Sequence, residues 1–426
     1  MKTTIIIAAA LAVPVTLHAQ GNIAAPVGAP VASMKTLQQV WDKVGVLETQ
    51  LGLAQASLAA TRNDLNRAKV ENQLIGGLLS TSAAGLALPW NIQTIATGGV
   101  GRYCSLAFGP DGQPAVSHYR HNSAALLFTR YTGSAWTTSI VDSPFVGSET
   151  SLAFGLNGQP AISYYDGANA NLKYATYNGT SWTSITLDSI GDVGKFSSLG
   201  FDPSGNPSIA YYDVTNADLK IARFNGLFWN ISVVDGSTGN VGTGASLAFG
   251  PDGQPSIAYK DSTNNWLKIA SFNGSTWSFN NLDPSGFPSE GDSVSLAFQV
   301  NALPVVSFRK VAMYIPYVGG NSAINTVSGG FPGGIDVGQK TSTALGPDGF
   351  AVVSYYDQVQ GDLKFSRDTT GNYYSSWLPI TVDSTGDVGR FNSLAFGPDG
   401  QPSIAYSDDT NGNLKIARKG IFKPAP

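Results

Sequence analysis

Ser393-Leu394-Ala395-Phe396-Gly397-Pro398-Asp399-Gly400-Gln401-Pro402-Ser403-Ile404-Ala405-Tyr406 decides the architecture, because close copies of it begin at Ser105, Ser151, Ser198, Ser246 and Ser295 and a worn one at Ser342. Seven copies spaced 46 to 51 residues apart mark a repeat architecture rather than separate domains. Each copy holds four short runs rich in β-branched and aromatic residues; in the third copy these are 198–201, 208–212, 219–224 and 229–234. Turn residues part them. The first connection is Gly-Pro-Asp-Gly or a variant of it, and the third is Asn-Gly, as at Asn178-Gly179, Asn225-Gly226 and Asn273-Gly274. Both dipeptides accept the positive φ angles of a tight hairpin. Four strands in each of seven units predict an all-β, seven-bladed β-propeller.

The two ends of the array supply the closure. The last copy stops after its third run, Leu414-Lys415-Ile416-Ala417-Arg418, while an orphan fourth run, Trp90-Asn91-Ile92-Gln93-Thr94-Ile95, precedes the first copy and matches Trp182-Thr183-Ser184-Ile185-Thr186-Leu187. Pairing of these segments would close the ring and leave no open edge between first and last blades.

Composition narrows the function classes. Net charge is −4 with a sequence pI near 5.4, so no basic excess exists to neutralise nucleic-acid phosphates. Cys104 is the single cysteine, which excludes an intrachain disulfide and reads as a buried structural thiol. Lys2 followed by the apolar run 5–17 and a small residue at Ala19 predicts a secretory signal peptide over 1–19, too short to span a bilayer. A Pro/Ala/Gly linker covers 20–33. From 37 to 79 the apolar residues repeat every seven, with Leu37, Val44, Leu51, Leu58, Leu65 and Leu79 in one column and Val40, Leu47 and Ile75 in the other. A sustained seven-residue seam predicts an α-helical coiled-coil stalk over 34–80 that self-associates through 37–79; a helix folded back on the propeller is the competing reading. Residues 81–89 form a hinge, 90–420 the propeller and 421–426 a tail. No segment is apolar enough to be a transmembrane span.

The turns and runs of 90–420 resemble bacterial secreted β-propeller repeats, and the turns are similar to those of NHL and TolB-type propellers. The Asn-Gly turn followed by Trp also looks like the blades of seven-bladed propeller lectins. The resemblance implies fold more than activity, and it carries over no catalytic residue.

Two charged columns recur. Asp166, Asp213, Asp261, Asp357 and Asp408 stand fifteen residues after the starting Ser, and Lys173, Lys220, Lys268, Lys364 and Lys415 stand twenty-two after it. Arg120 and Lys310 replace the acid in the first and fifth copies, which also lack the Lys. This joint loss predicts an ion pair within each blade, across the hairpin of its second and third strands. The blade-to-blade loops carry a Val-Gly column followed by Arg102, Lys195 and Arg390 among others. Ring closure makes Arg390 and Arg102 neighbours, so these charges either form an electropositive arc at the channel mouth or pair with loop carboxylates such as Asp192 and Asp387. Trp266, in a loop between second and third strands, could stack on a sugar or a partner. Arg102, Arg390, Lys195, Arg120, Lys310 and Trp266 are therefore the candidate ligand-binding residues. No catalytic, metal or cofactor motif is visible.

The expectation is a secreted or cell-surface protein, in the medium, at the envelope or in the periplasm. Its predicted role is non-enzymatic binding or adhesion toward a protein or glycan ligand on the loop face. A propeller lectin, a carbohydrate-active enzyme and a structural envelope or fibre component are the alternatives.

Overall fold

The structure, a computed structural model, describes residues 88–283, 294–299, 302–308, 313–318, 321–322, 325–326, 337–368 and 377–420. Contacts divide the chain into Met1–Arg67 and Ala68–Pro426. The expected signal peptide 1–19, linker 20–33, coiled coil 34–80, tail 421–426 and all but the end of the hinge lie outside the described residues.

The third copy shows the unit. Val193–Phe201, Pro207–Asp213, Asp218–Phe224 and Trp229–Asp235 form one antiparallel sheet in that order. Its inner strand starts five residues before the expected 198, because the Val-Gly pair belongs to the strand and not to a loop. Six copies fold as such four-stranded sheets. The fifth departs from the expectation of seven regular blades: Val294–Phe298, Pro304–Phe308 and Met313–Val318 are joined by the two-residue strands Asn321–Ser322 and Asn325–Thr326. This copy carries Phe308, Lys310 and Tyr317 where most regular blades carry Tyr, Asp and Lys. The first copy lacks the same three residues, with His118, Arg120 and Leu127 in their places, and still forms a regular sheet, so their loss is not by itself what makes the fifth copy irregular.

Closure follows the expected pairing. Trp90–Ala96 lies antiparallel to Asn413–Lys419, with Trp90 opposite Lys419 and Ala96 opposite Leu414. The starting serine of each copy then binds the next copy. Ser105 Oγ accepts from the Leu152 amide, Ser151 from Leu199, Ser198 from Leu247, Ser246 from Leu296, Ser295 from Thr343 and Ser342 from Leu394. Ser393 completes the circuit by accepting from Leu106. Each bond satisfies an inner-strand amide that has no strand neighbour on the channel side.

The core lies between blades rather than within them. Leu172 and Tyr174 of the second copy pack with Val193, Leu199, Ile209 and Tyr211 of the third, and Leu106, Val116 and Leu127 of the first pack with Leu414 and Ile416 of the last. The Val-Gly column serves this contact. A Cβ on Gly194 would come 2.6 Å from the Cα of Leu172, and its φ of +105° is a conformation that side chains rarely adopt. The outer-strand tryptophans pack across the same boundary, Trp182 on Phe128 and Trp229 on Tyr174.

The shortest ion pairs of the lysine column join blades, where pairs within a blade were expected. Lys173, Lys220, Lys268 and Lys415 donate to Asp142, Asp188, Asp235 and Asp383 at 2.5–2.6 Å, each at the end of the preceding blade's outer strand. The hydroxyls of Tyr164, Tyr211, Tyr259 and Tyr406 donate to the same four carboxylates. The column Asp166, Asp213, Asp261 and Asp408 instead closes its own turn, accepting from the amide and side-chain Nδ2 of Asn169, Asn216, Asn264 and Asn411. Asp357 accepts the amides of Val359 and Gln360 in the same way. Two pairs of the expected columns also occur within a blade at longer range, 3.5 Å for Lys220 and Asp213 and 3.8 Å for Lys364 and Asp357. Lys364 follows the irregular fifth copy and turns to Asp362 of its own blade at 2.8 Å.

Candidate functional site

The inner strands of the six regular copies each carry a bulge just after the Val-Gly pair. In the third copy Lys195 lies opposite Tyr212 but Ser198 lies opposite Ala210, so one extra residue is accommodated on the inner strand. The residue after the Lys195 position takes up the extra length in a left-handed conformation: φ is +50° at Tyr103, +55° at Glu149, +54° at Phe196 and +51° at Phe391. Non-glycine residues in this region carry about 1–3 kcal/mol of strain each, and such strain gathers at functional sites.

Consecutive residues at the bulges, such as Glu149 and Thr150 or Phe196 and Ser197, border one cavity. Tyr103, Glu149, Phe196 and Phe391 line a cavity of about 160 Å³, together with neighbours such as Cys104 and Asn392. Tyr103 and Phe391 are in ring contact at 4.8 Å, and Tyr103 also meets Tyr119 edge-on at 6.2 Å. The Glu149 carboxylate lies between blades and accepts the amide of Phe196. Beneath the rings Cys104 donates to the Phe391 carbonyl at 2.6 Å, and burial pushes its thiol pKa far up. It is a structural thiol in this position, as its composition predicts. His118 is fully buried, bonded through Nε2 to Thr129, and burial together with the charge of Arg120 lowers its pKa to about 3. It stays neutral.

Around the mouth the predicted charges fall into two groups. Lys195 lies 3.4 Å from Asp192 and over the ring of Tyr165, whose hydroxyl donates to the same carboxylate. Arg390 lies 3.3 Å from Asp387 and 3.5 Å from Asp409, stacked on Tyr356. These two charges follow the alternative of pairing with loop acids. Arg102 is exposed and Arg120 half-exposed, and neither makes an ion pair among the described residues. Trp266 is not in a loop: it opens the strand Trp266–Phe272, half-buried opposite Asp261. Lys310 lies outside the described residues. Among the described residues, no group of three or more His, Cys, Asp or Glu is placed to hold a metal ion, and no helix is long and apolar enough to cross a membrane.

The cavity residues were missed by sequence reasoning because their column reads Tyr, Glu, Phe, Gly and Phe and has no shared chemistry. The signal that could have found them was position, two residues after each Val-Gly pair.

No family model matches the chain, and no curated protein matches it. Among solved structures, a protein of unknown function from Dyadobacter fermentans is 10% identical with a TM-score of 0.50, over 77% of this chain and 97% of that one. The SapL1 lectin in complex with α-methyl fucoside is 12% identical with a TM-score of 0.46, over 68% and 96%. An α-L-arabinofuranosidase from Fusarium graminearum is 13% identical with a TM-score of 0.46, over 64% and 92%. At 10% identity the likeness to the Dyadobacter fermentans protein is one of fold alone.

Proposed function

We propose that this chain is a secreted or cell-surface binding protein whose propeller takes a small saccharide ring at the loop-face mouth of its channel, without catalysis. The supporting observation is the strained aromatic column. Tyr103, Phe196 and Phe391 are held in costly left-handed conformations around one small cavity, with the Glu149 carboxylate set among them. Aromatic faces stack on the apolar side of a sugar ring while a carboxylate takes its hydroxyls. A volume near 160 Å³ suits a single ring rather than a large ligand. Hydrolysis of a glycosidic bond uses two carboxyl groups at a defined separation, and Glu149 is the single acid among the described lining residues.

In this proposal the irregular sheet of the fifth copy is a worn seventh blade, and the heptad segment 37–79 gathers several propellers into one oligomer. Weak single sites would then gain avidity. A glycan array followed by calorimetry tests the site: Tyr103→Ala and Phe391→Ala should each weaken the bound sugar at least tenfold. Sugar binding left intact in both variants would place the site elsewhere.

A further inference from the structure

The repeat allows the same rim position to be compared between blades, and the first blade differs in every acidic member. Arg390 of the last blade is neutralised by Asp387, three residues before it, and by Asp409 in the turn between the second and third strands. In the first blade Arg102 stands in the place of Arg390, but Gly99 replaces Asp387, Arg120 replaces the turn-closing Asp408, and His121 replaces Asp409. Lys195 likewise has its acid three residues earlier, Asp192. The backbone is conserved at this corner: Arg102 lies opposite Tyr119, as Arg390 lies opposite Ser407, and the His121 amide bonds Gly99 O just as the Asp409 amide bonds Asp387 O. One framework therefore sets Arg390 beside two acids, Asp387 and Asp409, in the last blade and sets Arg102 beside Gly99 and His121 in the first, with Arg120 next to His121 in the chain and no ion pair from Arg102 or Arg120 among the described residues. Arg102 is exposed and directly precedes Tyr103 of the cavity wall.

We infer that Arg102, Arg120 and His121 form an anion-binding corner for the carboxylate or sulfate of an acidic saccharide whose ring lies against Tyr103. Two guanidinium groups offer the forked donors that a planar carboxylate or a sulfate oxygen pair accepts. The inference rests on the cavity reading above and narrows it from saccharides to acidic ones.

The full chain is tested on an array of matched neutral, uronate-bearing and sulfated glycans, with affinities then measured for the best acidic glycan and its neutral counterpart at two salt concentrations. The acidic glycan should bind at least tenfold more tightly at low salt, and the preference should shrink as salt screens the charges. Arg102→Gln with Arg120→Gln should abolish the preference and keep the weaker neutral binding, whereas Arg390→Gln, whose charge is already balanced, should leave it intact. Equal binding of neutral and acidic glycans, or a preference indifferent to the arginine pair, overturns the anion corner and leaves the cavity reading standing. Binding of no glycan of any class overturns both.

Discussion

Lys220 Nζ donates to Asp188 Oδ2 at 2.6 Å across the boundary between the third and second blades, and Tyr211 donates to the same oxygen. Asp213, in the blade of Lys220, is 3.5 Å away and already occupied by Asn216. Asp188→Asn therefore leaves a nearly buried ammonium without its main partner and should cost about 3 kcal/mol. Asp213→Asn weakens a turn and should cost about 1 kcal/mol. Urea midpoints of the two variants give the order, and a costlier Asp213→Asn would overturn the assignment of these pairs to the blade boundaries.

The same carboxylates set an acid limit. Burial alone would raise Asp142, Asp188, Asp235 and Asp383, but hydrogen bonds from Lys and Tyr outweigh it and hold all four below the ordinary aspartate range. The unfolded chain then binds protons more readily than the folded one, so these groups add stability above about pH 4, which is lost as pH falls through their folded values. Denaturation midpoints should hold steady from about pH 8 to pH 5 as far as these groups are concerned and fall below about pH 4. Asp188→Asn should show a shallower fall, and an equally steep one would assign the acid sensitivity to other groups.

The boundary between last and first blades lacks this arrangement. Ala96, His118 and Leu127 occupy the positions held elsewhere by Asp, Tyr and Lys, leaving closure to the strand Trp90–Ala96, an apolar cluster and the bond from the Leu106 amide to Ser393. Ser393→Ala strands that amide and should cost about 1–3 kcal/mol. Hydrogen exchange should accelerate first over 90–96 and 104–106. Ser151→Ala, at a boundary that keeps Asp188 and Lys220, should leave 90–96 as protected as before. Equal loosening in both variants would mean that the ring has no preferred seam.

Much of this was legible in the chain because ring repetition writes each structural rule several times: the serine, the Val-Gly pair and the displaced strand at Trp90 all recur or match. The partner of each lysine was not. Asp166 and Asp142 belong to columns of the same period, and the first copy loses both acids together with the lysine, with Arg120 in one column and Ala96 in the other, so the joint loss fits either pairing. The cavity was hidden for a different reason. The bulge gives Tyr103, Glu149, Phe196 and Phe391 their left-handed backbone, and neither these residue types nor strand alternation signals it. The pairing of Lys195 and Arg390 could be read from acids three residues earlier; the isolation of Arg102 could be read from Gly99.

That backbone strain has a measurable signature at Tyr103. Ala and Gly both delete the ring and its contacts with Phe391 and Tyr119, but Ala keeps a Cβ at φ +50°. In an ordinary strand Gly is the less stable of the two by about 0.5–1 kcal/mol, through the greater freedom of the unfolded chain. A left-handed site costs Ala about 1–2 kcal/mol that Gly does not feel. Tyr103→Gly should therefore be as stable as Tyr103→Ala or more so, by up to about 1.5 kcal/mol on these figures. The exposed outer-strand position Thr138 should show the opposite order. Denaturant midpoints of the four variants decide it. An Ala variant more stable than Gly at both positions would show that the column around the cavity stores no strain, and would remove the physical reason for placing a binding site there.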